Sequence, residues 1–315
     1  MNAPVPSPEI ITPEITTNAA FATAGVPRLS VLIPFYKESP ATLLHALTST
    51  PGVELILLDD GSQSPELTQA VLSAIDSLIL PATLISLPRN EGRARGRNRL
   101  TQAARGDYFL CLDADMLPDA PNFLARWLAV AETKPAVVFG GFSLKQAPQD
   151  KAFAIHRLMA TKSDCLDAET RSLTPEKYVF TSNLLIRRDV FAVQDFDADF
   201  TGWGWEDVEW AMRVAREFGV RHIDNTATHM GLDTTDTLLR KYEQSVGNFA
   251  RVVAKHPDIV TTYPSYRVAR LIRKLPLRSF LRGSLRTMVR LEPAPAKLRA
   301  FALRLYRAAL YAEVV

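Results

Sequence analysis

The sequence predicts an α/β fold, a mostly parallel sheet flanked by helices and followed by a helical C-terminal extension. Three observations carry this expectation. Short apolar runs alternate with helix-period segments, each run is far too short to cross a membrane, and one of them ends in the carboxylates Asp113 and Asp115. Strands buried on both faces read as unbroken apolar runs, and strand–helix alternation with right-handed crossovers gives a parallel sheet.

Residues 1–27 hold Pro4, Pro6, Pro8, Pro13 and Pro27 among Thr and Ala, a composition that buries little apolar surface and predicts a flexible leader. The ordered domain is expected to begin near Arg28. Strands are predicted over 29–33, 53–58, 83–87 and 108–112, with helices over 41–47, 65–78 and 93–104 between them. A helix over 122–132 and a strand over 137–139 follow. Beyond Gly141 the alternation weakens: a helix is expected over 151–159, a strand over 179–186, an amphipathic helix over 206–218, a short strand over 220–223 and a long helix over 236–255. The reading therefore divides the chain into a leader (1–27), one α/β domain (28–260) and a basic amphipathic extension (261–315).

Composition bounds the function. The chain has 315 residues and 47% apolar content, enough for a large core. No stretch approaches the roughly 18 uncharged apolar residues of a bilayer span, and the amino terminus lacks a basic segment followed by an apolar one. Only Cys111 and Cys165 are present, too few for a disulfide framework, which fits a reducing cytoplasm. The net charge of +3 is unevenly spread: twelve Lys/Arg face two Asp/Glu from Tyr266 to Val315. The body is therefore mildly acidic and the tail strongly basic.

Chemistry-bearing residues fall at predicted strand and helix ends. Asp113-Ala-Asp115 follows the 108–112 strand at the edge where a parallel sheet binds its ligand. A hard cation held by one or two carboxylates completes its shell with water and phosphate oxygens, so the triplet points to a metal-bound diphosphate. Asp59-Asp60-Gly61-Ser62 ends another strand in a tight turn. Glu206 and Asp207 open a helix, where the dipole favours negative charge, behind the aromatic loop Gly202-Trp-Gly-Trp205. His229 lies just past a short strand.

The order of these segments resembles that of family 2 glycosyltransferases with the GT-A fold, a Rossmann-like sheet flanked by helices. The matching pieces are Ser30-Val-Leu-Ile-Pro-Phe-Tyr-Lys-Glu38, Leu58-Asp-Asp-Gly-Ser62, Asn90-Glu-Gly-Arg-Ala-Arg-Gly-Arg-Asn98, Asp113-Ala-Asp115, Ser182-Asn-Leu-Leu-Ile-Arg-Arg188 and Gly202-Trp-Gly-Trp-Glu-Asp-Val-Glu209. The last also resembles the Gly-Trp-Gly-x-Glu-Asp segment of galactosyltransferase-type enzymes.

The resemblance implies an inverting, metal-dependent transfer of a sugar from a nucleotide sugar, a UDP-sugar by preference, to a hydroxyl of a glycan or lipid-linked acceptor. It implies that Asp60 reads the base, that Arg97 reaches the base or its phosphates, and that Pro34 and Tyr36 floor the nucleoside. It further implies that Asp115 binds Mn²⁺ or Mg²⁺ with His229 completing the shell, while Asp113 reaches the ribose or a metal-bound water. Asp207 is then the base on the acceptor hydroxyl, Glu206 holds the acceptor or the donor sugar, and Trp203 and Trp205 form an acceptor wall.

Two other classes are weighed against this. A nucleotidyltransferase would want a Gly-rich phosphate loop after the first strand, and Pro34-Phe-Tyr-Lys-Glu38 is none. A non-catalytic membrane-associated scaffold would have no use for Asp113, Asp115, Glu206, Asp207 and His229 together. The tail repeats Lys/Arg every three or four residues around an apolar face, which suits an anionic membrane surface contacted through 266–312 or packing on the acidic body. The former would make the protein peripheral on the inner face of the membrane. Nucleic acid is not expected, because aromatic interleaving is sparse.

Overall fold

The computed structural model describes residues 12–315. The chain opens with β1 (Glu14–Thr17) and the one-turn α1 (Ala19–Ala22), then alternates β2 (Leu29–Phe35), α2 (Ala41–Ala46), β3 (Val53–Asp59), α3 (Pro65–Asp76), β4 (Ala82–Ser86), α4 (Arg93–Ala103) and β5 (Tyr108–Leu112). Next come β6 (Met116–Pro118), α5 (Phe123–Glu132), β7 (Val137–Phe139), β8 (Phe142–Ser143), α6 (Ala154–Ser163) and α7 (Ala168–Ser172). They are followed by β9 (Asn183–Arg187), α8 (Arg188–Val193), α9 (Glu206–Glu217), β10 (Arg221–His222) and β11 (Ala227–His229). Five helices close the chain: α10 (Thr235–Lys255), α11 (Pro257–Val260), α12 (Pro264–Arg273), α13 (Arg278–Arg290) and α14 (Ala296–Tyr311).

Local chemistry explains the boundaries. Every residue of β3 and β5 is buried, which is why they read as continuous apolar runs. Helix α3 starts where Ser64 caps Leu67 N–H and Pro65 supplies a preset φ at the first turn. The main sheet has eight strands in the order β1-β4-β3-β2-β5-β9-β7-β10. β2 pairs in parallel with β3 and β5, and β3 with β4; β9 runs antiparallel to both β5 and β7. A second, three-stranded sheet, β6-β11-β8, lies beyond the Asp113 edge and sets His229 opposite Met116. Apolar side chains of alternate strand positions fill two core regions: Val31, Leu55 and Leu110 in one, Leu32, Ile56 and Phe109 in the other.

The expected leader is corrected over 12–27. β1 pairs antiparallel with β4, Glu14 opposite Ser86 and Thr17 opposite Thr83. Buried Asn18 locks the junction, donating to Ile75 O at 2.9 Å and Leu80 O at 3.0 Å while accepting Ala82 N–H at 3.0 Å. Backbone pairing along an otherwise open sheet edge needs little side-chain burial, so composition does not reveal it. Residues 1–11 lie outside the described residues.

The strand expected over 179–186 forms only at Asn183–Arg187, and the segment before it bends so that Ser182 Oγ donates to Asp113 Oδ2 at 2.8 Å. The tail is helical as read, broken around Pro276, but α14 is a core element. Leu303, Tyr306 and Tyr311 are buried in one cluster with Tyr242 and Phe249 of α10. That part of 266–312 packs on the protein's own body. No helix among the described residues is long and apolar enough to cross a membrane.

Candidate active site

The C-terminal ends of β2, β3 and β5 converge on one edge. Asp59 accepts Ser62 N–H at 2.8 Å and Ser62 Oγ accepts Lys37 N–H at 2.7 Å, tying the turn after β3 to the end of β2. Gly61 has φ +75°, and a Cβ there would lie 2.2 Å from the Arg89 carbonyl carbon, so only glycine fits. Asp60 accepts Glu91 N–H at 2.7 Å and Gly92 N–H at 3.0 Å, one on each oxygen. Burial nevertheless leaves its pKa raised, the two amides opposing the shift. Beside it, half-buried Pro34 and exposed Tyr36 line the same edge.

Arg97 enters from α4 and is 2% exposed. Its Nη2 donates to Asp113 Oδ1 at 2.9 Å, and its Nη1 lies 3.7 Å from Glu206 Oε1. The guanidinium thus ties the β5 end to the start of α9, while its Nε and Nη1 make no hydrogen bond among the described residues. Burial would raise Asp113, but Arg97, Arg93 and the Ser182 hydroxyl outweigh it and hold the carboxyl below the ordinary range. With both Asp113 oxygens engaged, Asp115 is the freer carboxylate of the triplet.

Asp115 meets His229 across the β6–β11 pairing, Oδ2 to Nε2 at 3.3 Å. Burial would lower His229, but the hydrogen bond and charge of Asp115 raise it. The neighbouring backbone is clamped: Met230 N–H donates to Asp115 O at 2.9 Å, and a Cβ on Gly231 would fall 1.9 Å from Asp115 Oδ2. A 260 Å³ cavity opens here between Glu38, Thr42, Asp115 and Gly231. A larger cavity, 510 Å³, is lined by Asp119, Phe142, Lys145 and Cys165 and touches none of the sequence-predicted site residues.

Glu206 and Asp207 occupy the first turn of α9. Burial, reinforced by the charge of Glu206 and opposed by Arg97, pushes Asp207 up to about 7. Glu206 Oε2 is buried with no hydrogen-bond partner among the described residues. The loop before them is held fast: Gly202 and Gly204 have positive φ, Trp205 sits at φ 78°, and Asn248 donates to Thr201 O and Gly204 O at 2.9 and 2.8 Å. Left-handed Trp is costly backbone that the surroundings must enforce.

The two tryptophans part company. Trp205 donates its indole N–H to Tyr311 Oη at 2.9 Å and packs 5.0 Å from the Phe249 ring, anchoring α14. Trp205 is half-buried against the cluster that α10 and α14 share, and its indole N–H is taken up by the protein. Trp203 stays half-buried, 6.0 Å from the Tyr242 ring with Lys241 Nζ 5.7 Å above it.

Sequence reading missed His156, Asp233 and Lys241. His156 Nδ1 accepts Asp233 N–H at 2.7 Å, its ring stands 5.7 Å from His229, and burial with the His229 charge lowers it to about 4. Lys241 pairs with Asp233 at 2.6 Å. These residues lie outside any motif. Ser182 opens one of the matching segments and Gly231 lies two residues past His229, yet nothing local marks them as neighbours of Asp113 and Asp115.

The sequence model of the family described as Glycosyl transferase family 2 matches residues 30–193. A validoxylamine A glucosyltransferase from Streptomyces hygroscopicus subsp. jinggangensis is 25% identical over 274 residues, covering 76% of this chain and 63% of the relative. The chain thus spans less than two thirds of that relative's length. An N-acetylglucosaminyltransferase from Rhizobium leguminosarum bv. phaseoli is 29% identical over 115 residues, 33% of this chain and 27% of the other. Among solved structures, a mannosyltransferase from Pyrobaculum calidifontis in complex with GDP-Man and Mn²⁺ superposes with a TM-score of 0.57 at 17% identity, covering 98% of this chain and 91% of that one. The mixed α/β sheet with its flanking helices is therefore the GT-A architecture.

Proposed function

The chain belongs to glycosyl transferase family 2, and from that membership we propose that it moves a sugar from a nucleotide sugar, a UDP-sugar by preference, to a hydroxyl of a glycan or lipid-linked acceptor. The observation that carries this is the half-buried Asp207 carboxylate, pushed up to about 7, on the helix that Arg97 ties to the Asp113 strand end. A general base works best with a pKa near the operating pH. Asp207 takes the proton of the acceptor hydroxyl as its oxygen attacks the anomeric carbon. Glu206 Oε2, free of protein donors, accepts a sugar hydroxyl and fixes its orientation. Displacement from the face opposite the leaving diphosphate inverts the anomeric centre. Asp60, Pro34 and Tyr36 form the nucleoside side of the cleft, and Trp203 the acceptor side.

Asp115 and His229 suit a divalent cation shared with substrate. Among the described residues no three His, Cys, Asp or Glu side chains gather into an all-protein cage. Two converging donors with an open cavity beside them fit an ion whose remaining ligands are phosphate oxygens and water. When bound, Mn²⁺ or Mg²⁺ would act as a Lewis acid on the departing diphosphate. The Mn²⁺ and GDP-Man held by the Pyrobaculum enzyme support a divalent ion, and make guanosine the competing base. A donor screen that follows nucleotide release decides this. Release is expected from a UDP-sugar, abolished by chelation and by Asp115→Asn; release indifferent to both would overturn the reading.

Gly231→Ala is expected to weaken Mn²⁺ binding about 10–100-fold, as loss of a group that orients a ligand does. The added methyl would force the Asp115 carboxylate aside. Calorimetric titration of Mn²⁺ with uridine diphosphate checks it, and wild-type affinity in the variant would remove Gly231 from the site. The protein works from a peripheral position on an anionic membrane, where a lipid-linked acceptor is at hand.

A further inference from the structure

We propose that the corner joining α12 to α13 is the element that seats this protein on an anionic lipid bilayer. The inference deepens the peripheral placement above and is independent of the transfer chemistry.

The corner exposes apolar bulk on its outer side. Leu271, Leu275, Leu277 and Phe280 are 64%, 48%, 78% and 75% exposed. They are not overflow from the inward face. That face is made by Ala269 and Ile272 on α12 and by Leu281, Leu285, Met288 and Val289 on α13, all in the cluster shared with α10 and α14. The corner is thus apolar on two sides, one of which meets the body while nothing among the described residues covers the other. Leu277 holds a left-handed backbone, φ 58°, directly after Pro276, so the chain accepts strain at the point where it presents a leucine outward.

Charge selects the occupant. From Ile259 to Leu291 the sequence contains no Asp or Glu. Apart from half-buried Arg278, which donates to Arg273 O at 3.3 Å, the cations of this stretch divide into two sets. Arg282, Arg286 and Arg290 on α13 face the body, pairing with Glu313 at 3.1 Å, Glu243 at 3.6 Å and Asp236 at 2.7 Å. Arg267, Arg270, Arg273 and Lys274 on α12 are exposed, and among the described residues no carboxylate lies within 4.0 Å of them. Leucine and phenylalanine tips ringed by uncompensated long cations match the headgroup boundary of an anionic leaflet, where the tips enter the acyl region and the charges meet phosphate. A protein partner of ordinary surface composition would supply both signs of charge and would leave this uniform ring half used.

The full chain, without acceptor, is tested by co-sedimentation with vesicles of phosphatidylcholine alone and of phosphatidylcholine mixed with phosphatidylglycerol. Binding is expected only to the mixed vesicles and should weaken as salt rises. The pair Leu277→Asp with Phe280→Asp, and separately the triple Arg270→Ala, Arg273→Ala, Lys274→Ala, should each lower the partition coefficient at least about tenfold. Thermal melting and donor hydrolysis should stay at wild-type values, since neither set touches the site. Equal binding to both vesicle types, no binding, or variants that bind like wild type would overturn the proposal. So would a dimer in sedimentation velocity that is lost in the Leu277/Phe280 variant while vesicles are ignored. A protein that binds mixed vesicles but releases no nucleotide from any donor would sink the catalytic reading and leave this one standing.

Discussion

Asp207→Asn is expected to lower turnover by about 10²–10⁴-fold, the range lost when a positioned base is removed, while uridine diphosphate binds as tightly as before. Binding is spared because the substitution leaves untouched Asp60 and Asp115, the residues that face the nucleotide in the proposed arrangement. The wild-type pH profile provides the partner measurement. A base must be deprotonated to accept the hydroxyl proton, and burial beside Glu206 holds Asp207 at about 7, so turnover should climb as pH rises through that value. The Asn variant should lose this ascending limb together with the activity. Stability moves the other way. The folded protein binds the Asp207 proton more tightly than the unfolded chain, so this carboxyl's contribution is present at low pH and lost as pH rises through about 7. Asparagine stays neutral, and the variant should melt no lower than wild type, with its relative gain largest at alkaline pH. Unaltered turnover would remove Asp207 as the base, and a lower melting temperature on the alkaline side would contradict its burial as a charged group.

Arg97→Met is expected to destabilise the fold by about 3–5 kcal/mol, the cost of leaving a buried charge partner uncompensated. The substitution keeps the aliphatic volume but strands Asp113 and Glu206, which Arg97 meets at 2.9 and 3.7 Å. Denaturant unfolding measures it. The pH dependence gives a second check. Asp113 is held below the ordinary carboxyl value by Arg97, Arg93 and Ser182 against the effect of burial. That contribution exists above the unfolded pKa and fades as pH falls through the lowered one, so the gap between variant and wild type should narrow in acid. Arg97→Lys keeps the charge without the planar fork and should fall between the two. Unfolding curves that coincide for Arg97→Met and wild type would show that the bridge does nothing.

Much of the site was legible because its residues stand at element ends, and element ends follow from local pattern. The 108–112 run gives a strand by apolar continuity alone, and its last residue fixes where Asp113 begins. The polar-to-amphipathic switch at Glu206 gives a helix start, which places two carboxylates in the first turn. Ser64 and Pro65 mark the start of α3 in the same way. The sequence is silent where a residue's partners lie across the fold. Trp205 and Trp203 are two residues apart in one loop, yet Trp205 bonds to Tyr311 of α14, more than ninety residues later, while Trp203 meets Tyr242 of α10. Arg97 stands in a string of arginines, and only the fold sets the Asp113 and Glu206 carboxylates on either side of it.

The sequence by itself determined the alternating elements, their approximate ends, the basic tail and the carboxylates at the strand and helix termini. Periodicity, burial pattern and capping act over a few residues and are written in them. The tertiary structure alone decided that β1 closes the sheet edge, that β9 runs antiparallel beside β5, that His156 and Gly231 stand beside the Asp115–His229 pair, and that α14 is core while the α12–α13 corner is bare. Those are meetings between segments tens to hundreds of residues apart. Each is set by which surfaces bury one another on folding, a property of the whole chain that no short stretch of it encodes.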